Sequence, residues 1–254
     1  MMTCRTLFAI LLAVGFADGA FAAPETEMAP ASRIMHRSRR GVDWWGERCA
    51  RNRDFIAAHE GKVDFVFAGS SSTHFWETAG AKSWATLTNR YTILNAGYGG
   101  DTTHNLLWRF RYGGELDGYR AKAVVLQIGS NDNGVSGADP TNTFRRICVC
   151  IDEFRRHQPE AKVVLLGFAP RAVGTRDGDP TKDNGANARN YETNRLLKTL
   201  ADGRDVFYLD CYDKFLVDGK IPKALSDDYI HPTDKGYALI RAALEPLLAR
   251  LAAL

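Results

Sequence analysis

The run Ala121-Lys-Ala-Val-Val-Leu-Gln-Ile-Gly129 is apolar at nearly every position. A strand of that kind belongs at the centre of a parallel sheet, where helices cover both faces. The rest of the chain supplies the partners. Residues 63–68, 91–95, 162–168 and 206–209 read as further strands, and 44–59, 102–112, 141–157, 186–200 and 232–254 read as helices. Pro232 is expected near the first turn of the last helix, where its missing N–H is harmless. Strands that alternate with helices imply one α/β domain, a doubly wound five-stranded parallel sheet with right-handed crossovers. Sheets of this kind carry their sites beyond the carboxyl ends of the strands.

Composition narrows the functional classes. The 254 residues are 45% hydrophobic and 25% charged, an ordinary globular balance that excludes a disordered tail, a collagen, a coiled coil and a polytopic membrane protein. A net charge of +3, from 33 Lys+Arg against 30 Asp+Glu, is too weak and scattered to argue for a nucleic-acid partner. Five cysteines are too few for a disulfide scaffold, and no CxxC or Cys/His pairing suggests a metal cage.

The amino terminus reads as a signal peptide over residues 1–22. Arg5 supplies the positive region, the run from Leu7 to Phe16 the apolar region, and Ala20-Phe-Ala22 the small residues before cleavage. That run is too short for a membrane span of roughly 20 residues; a buried helix is the alternative. Export, secreted or periplasmic, is therefore expected. Residues 23–40, with Pro24, Pro30 and Arg37-Ser-Arg-Arg40, read as a mobile leader, and 41–254 as the single domain. In an oxidising compartment Cys49, Cys148, Cys150 and Cys211 could pair. Cys148 and Cys150 are two apart in a helix and point in different directions, so buried thiols are expected there; the sequence leaves Cys49 open.

Four segments fall where the strands end: Gly69-Ser-Ser-Ser-Thr73, Asn95-Ala-Gly-Tyr-Gly-Gly-Asp101, Gly129-Ser-Asn-Asp132 and Asp228-Tyr-Ile-His231. Together they hold a hydroxyl, accessible backbone donors, a side-chain amide and an Asp/His pair, the parts that acyl transfer requires. Each has a plainer reading. Ser71 could cap a helix, the glycines build a turn, Asp101 cap helix 102–112, and Asp228 close a loop. Asp227 rivals Asp228 for the histidine. Four such segments in order at strand ends are harder to dismiss than any one. Competing signatures fail: no Gly-x-Ser-x-Gly elbow and no phosphate-binding Gly-x-x-x-x-Gly-Lys-[Ser/Thr] occurs, and Gly97-Tyr-Gly-Gly-Asp-Thr lacks the last glycine of the dinucleotide fingerprint.

The four blocks resemble the SGNH (GDSL-type) hydrolase family, most closely its platelet-activating-factor-acetylhydrolase-like branch. The resemblance runs from about Val63 to Tyr237, through Val66–Trp76, Asn95–Arg109, Ile128–Asp132 and Asp228–Tyr237. It implies a three-layer, flavodoxin-like sheet. It makes Ser71 the nucleophile, His231 the general base and Asp228 the residue that orients it, with an oxyanion hole from the N–H groups of Ser71 and Gly100 and the amide of Asn131. Glycine at 100 would let the backbone approach a tetrahedral intermediate. Ser70 stands where the family commonly has Asp, so the choice of Ser71 among three serines rests on register from Gly69. Trp108 and Arg109 read as packing and a structural hydrogen bond, and Asp132 as a tie for the loop presenting Asn131. His74 and His104 are read as pocket-lining or surface residues.

The implied activity is a serine esterase cleaving a short, most simply acetyl, ester through an acyl-enzyme, without metal or cofactor. The expected partner is a small acylated substrate, an O-acetylated carbohydrate first and a lipid ester or broad carboxylester second; family relatives include homodimers. A catalytically inactive carbohydrate-binding protein on the same fold is the reading from another class, motivated by Ser70.

Overall fold

The structure, a computed structural model, describes residues 28–33 and 43–254. Its five strands are β1 (Phe65–Gly69), β2 (Ile93–Gly97), β3 (Ala123–Gln127), β4 (Lys162–Leu166) and β5 (Val206–Leu209). All pairings are parallel, in the order β2-β1-β3-β4-β5. The expected doubly wound five-stranded sheet is present, with the apolar run at its centre.

Successive side chains of a strand point to opposite faces, and the two cores follow that period. Val66, Ala68, Val124, Leu126, Val163 and Leu165 pack with residues of α1 (Trp44–Ala58), α4 (Thr103–Tyr112), α6 (Pro140–His157) and α7 (Ala186–Lys198). Phe65, Phe67, Ala123, Val125, Val164 and Leu166 face the other way, onto α3 (Ala81–Thr88) and α8 (Asp234–Ala252). Two further short helices, α2 (Ser71–His74) and α5 (Ser130–Gly134), follow β1 and β3 directly.

The elements differ from expectation in instructive places. β2 starts at Ile93 rather than 91, because its ladder begins where Phe65 pairs with Ile93. Tyr91 keeps an apolar role by setting its ring edge-on to Phe65 at 5.1 Å. α2, α3 and α5 are not anticipated; each is too short to show a helical period. The last helix begins at Asp234, capped by the Thr233 side chain, so Pro232 lies outside it. Pro246 instead stands inside α8. An interior proline costs about 3 kcal/mol; buried Leu244, Leu248 and Leu251, at about 1.5–3 kcal/mol each, outweigh it.

The expected signal peptide, 1–22, lies outside the described residues. Of the expected leader, residues 28–33 are described, and they lie on the domain. Met28 is buried in the larger core, Ala31 N–H donates to His104 O, and Asn105 Nδ2 donates to Ala31 O. Cys49, Cys150 and Cys211 are buried free thiols, and no bridge joins Cys148 to Cys150. Burial pushes the Cys49 and Cys211 thiols up to about 11. Among the described residues, no helix is long and apolar enough to cross a membrane.

Glycine decides how closely α2 sits against the strand ends. A Cβ on Gly97 would fall 2.5 Å from Thr73 C and closer still to His74 N, both backbone atoms that cannot swing aside. Gly97→Ala is therefore expected to cost about 2 kcal/mol or more, read as a lower urea midpoint at unchanged slope.

Candidate active site

Every candidate residue lies at the carboxyl edge of the sheet. β1 ends at Gly69 and the chain turns at once into α2, so Ser71 occupies the first helical position with Ser70 as N-cap. The first N–H groups of a helix have no intrahelical partner. Among the described residues, no acceptor meets the Ser71 N–H, which stays available beside its own hydroxyl.

His231 comes from the loop before α8. Its Nε2 lies 2.8 Å from Ser71 Oγ, and its Nδ1 lies 2.6 Å from Asp228 Oδ2. The other carboxylate oxygen accepts from Ile230 N at 2.8 Å and His231 N at 2.7 Å. Partial burial acts to raise the Asp228 pKa, but these bonds from His231 and Ile230 outweigh it and hold the carboxyl below its ordinary value. An ionised carboxylate only accepts; the proton therefore sits on Nδ1 and leaves Nε2 to accept from the serine. Among the described residues no hydrogen bond or ion pair joins Asp227 to His231, and Asp228 is the carboxylate bonded to it. Between acid and histidine, Tyr229 has φ +59°, a left-handed conformation that its contacts with Ala172 and Ile221 hold in place. Tyr237 Oη donates to Ser72 O at 2.7 Å, tying α8 to α2, and the Phe75 ring packs 5.0 Å from His231.

The expected oxyanion donors converge on the same cavity, about 400 Å³, which Ser71, Gly100, Asn131 and His231 line together. Asn131 Nδ2 spends one N–H on Asp101 O at 2.8 Å and retains the second. Gly100 has φ +80°, and a Cβ there would meet Arg33 Nη1 at 3.1 Å. The glycine thus serves the left-handed turn and the arginine packed on it, where sequence reasoning supposed only clearance for an intermediate.

Asp101 does not cap α4; Thr102 and Asn105 form a capping box there. Asp101 is instead fully buried and accepts from Trp45 Nε1 at 2.9 Å, Arg109 Nε at 3.0 Å and Arg33 Nη1 at 3.1 Å. Arg109 continues to Glu115 Oε2 at 2.6 Å and lies 3.8 Å from the Tyr98 ring centroid. Burial opposes the Arg109 charge, but Glu115 and Asp101 outweigh it and raise the guanidinium pKa. Tyr98 Oη and Asn52 Nδ2 both donate to Glu115 Oε1. Asp132 accepts from Thr103 N at 3.0 Å and Oγ1 at 2.6 Å, tying α5, and with it Asn131, to the start of α4.

Neither flanking histidine lines the cavity. His104 Nδ1 contacts Ala29 O at 2.9 Å. His74 stacks on Trp44 with centroids 6.0 Å apart, and its Nδ1 accepts from Gly99 N at 3.3 Å. Arg33, Trp45 and Glu115 escaped the sequence reading, since none lies in a block and only the fold brings them to the loop after β2. No group of three His, Cys, Asp or Glu side chains is placed to hold a metal among the described residues.

A serine hydroxyl bonded to an imidazole, beside N–H groups at the carboxyl edge of a five-stranded parallel sheet, is the arrangement expected of an SGNH-type hydrolase. Comparison with known proteins is consistent with the geometry. The model of the GDSL-like lipase/acylhydrolase family matches residues 66–239. The human platelet-activating factor acetylhydrolase IB subunit alpha2 is 30% identical over 213 residues, covering 83% of this chain and 86% of that protein. The human alpha1 subunit is 32% identical over 202 residues, covering 78% and 81%. Among solved structures, a GDSL-like lipase from Bacteroides thetaiotaomicron has a TM-score of 0.64 at 20% identity, covering 82% of this chain and all of that one (100%). A carbohydrate esterase family 3 protein from Talaromyces cellulolyticus has a TM-score of 0.51 at 17% identity, covering 75% and 98%. The chain belongs to the GDSL-like lipase/acylhydrolase family and is a carboxylic ester hydrolase.

Two stability effects follow. Arg109→Leu leaves Glu115 buried without its cation and Asp101 with Arg33 alone; a loss of about 3–5 kcal/mol is expected in urea unfolding. Burial first, and Arg48 second, lower the His74 pKa to about 4, against an ordinary 6.5 or so in the unfolded chain. Between those values the unfolded state binds the proton and the folded state does not, so stability falls as pH drops from about 6.5 to 4. His74→Asn keeps an acceptor for Gly99 and should flatten that slope in unfolding measured across the range.

Proposed function

We propose that this hydrolase is an acetylesterase that works through an acyl-enzyme on Ser71, and that its natural substrates are O-acetylated carbohydrates. The observation that carries the reading is the continuous Ser71–His231–Asp228 hydrogen-bond chain, assembled from segments 160 residues apart. His231 Nε2 takes the Ser71 proton as Oγ attacks the ester carbonyl. The developing oxyanion is met by the N–H groups of Ser71 and Gly100 and by the free amide N–H of Asn131. Asp228 stabilises the imidazolium, which returns its proton to the departing alcohol. Water, deprotonated by the same imidazole, then attacks the acyl-enzyme; collapse releases acetate and restores Ser71.

A small acyl group is supported by the acetylhydrolase relatives. A hydroxyl-rich alcohol is supported by the polar side chains of Gln127, Ser130 and Asn190, set among the apolar residues that line most of the cavity, and by the carbohydrate esterase among the fold neighbours. Export, read from residues 1–22, belongs to the same proposal. The names of the 30–32% identical relatives, platelet-activating factor acetylhydrolase subunits, favour a second reading, a lipid-type acetylhydrolase or broad carboxylesterase.

The test compares hydrolysis of 4-nitrophenyl acetate, acetylated glycans and acetylated short-chain lipids. Ser71→Ala is expected to lower kcat roughly 10⁴–10⁶-fold. Asn131→Ala should lower it about 10²–10³-fold with KM little changed. Equal background rates for wild type and Ser71→Ala would favour the inactive binding protein, and activity confined to the lipids would favour the second reading.

A further inference from the structure

The loop that leaves β4 carries Arg171 into the cavity that Ser71 and His231 line. The residue is only 9% exposed, yet its guanidinium makes no hydrogen bond among the described residues. Its backbone N–H donates to Asn187 Oδ1 at 3.1 Å. The nearest carboxylate is Asp183, with Oδ2 3.7 Å from Arg171 Nε, beyond hydrogen-bond range. Asp183 is already committed: Oδ1 accepts from Gly185 N at 2.8 Å and Oδ2 from Asn187 N at 2.9 Å.

The fold makes room for this guanidinium, whose ion-pair neighbour Asp183 stands beyond hydrogen-bond reach. A Cβ at position 134 would lie 3.1 Å from Arg171 Cζ and closer to Nη1, so only glycine leaves the guanidinium where it stands. The neighbouring Arg189, whose Nε donates to Asn133 O at 2.8 Å, adds positive charge. Burial lowers the Arg171 pKa, Asp183 opposes that, and Arg189 adds to it. Burying a guanidinium whose N–H donors meet no acceptor is costly. A planar fork of N–H donors matches a carboxylate or phosphate that offers two oxygens at once.

We propose that Arg171 is a specificity residue that seats an anionic group of the substrate, making the preferred ester an acidic one, such as an acetylated uronic acid. The inference rests on the esterase reading and names the substrate class for the same cavity. A neutral ester leaves the donors unmatched, and a site built to hydrogen-bond a group rejects analogues that lack it.

The experiment measures kcat/KM for an O-acetylated uronic acid, its neutral methyl ester and an O-acetylated hexose phosphate. Wild type should favour at least one anion over the methyl ester tenfold or more, chiefly through KM; the better anion identifies the oxyanion that is read. Arg171→Gln should abolish that ratio. Arg171→Lys, which keeps the charge but not the fork, should retain part of it and carries the comparison if the glutamine variant does not fold. No preference in wild type, or an unchanged ratio in both variants, overturns the proposal. If wild type hydrolyses none of the three, the esterase reading fails by itself. Calorimetric affinities of wild type and the Arg171 variants for the uronate and its methyl ester then decide the Arg171 inference.

Discussion

One buried guanidinium holds the loop on which the site depends. Arg109 lies between Asp101 and Glu115 with no exposure to water. Asp101 in turn draws in Trp45 from α1 and Arg33 from the segment that precedes it. The backbone of that same Asp101 accepts from Asn131, so one residue links the loop after β2 to the start of α5, the two segments that carry the proposed oxyanion donors Gly100 and Asn131. Buried ion pairs return little net stability once their desolvation is counted. What this network supplies is position. Gly99 and Gly100 are gripped between Arg33, which donates to Gly99 O, and His74, which accepts from Gly99 N.

The sheet explains why such distant residues meet. Its order puts β1 between β2 and β3, so the turns after all three strands open side by side at the point where the winding changes direction. Glycine at 69 and 97 lets α2 lie directly on the strand ends, which carries the Ser71 hydroxyl and N–H to the edge together. The histidine arrives from the opposite end of the domain sequence and is fixed by local means: two backbone bonds to Asp228, a left-handed Tyr229, and a helix that starts immediately afterwards. Rigid elements hold each side of the reaction, and the cavity between them is lined by short connections.

Much of this was legible in advance because it is local. The apolar run in β3, the helical spacing of α4 and α6, and the Asp-x-x-His spacing each follow from neighbours within a few residues. The short helices and the start of β2 were not, since their bounds are set by ladder register and by contacts with other elements. Cys49 is a similar case: spacing left its pairing open, and its place in the fold leaves it a free thiol. The glycine at 100 was noticed for its chemistry, but its backbone angle and its arginine neighbour appear only in three dimensions.

Periodicity and turn chemistry alone thus determined the parallel sheet and the edge on which the chemistry stands, because both are properties of the chain taken a few residues at a time. Tertiary structure decided that Ser71 faces the histidine and how Arg33, Trp45 and Glu115 come to frame the loop after β2. Those outcomes depend on side chains meeting across tens to more than a hundred residues. Contacts of that range are created by packing, and nothing in the spacing of neighbouring residues encodes them.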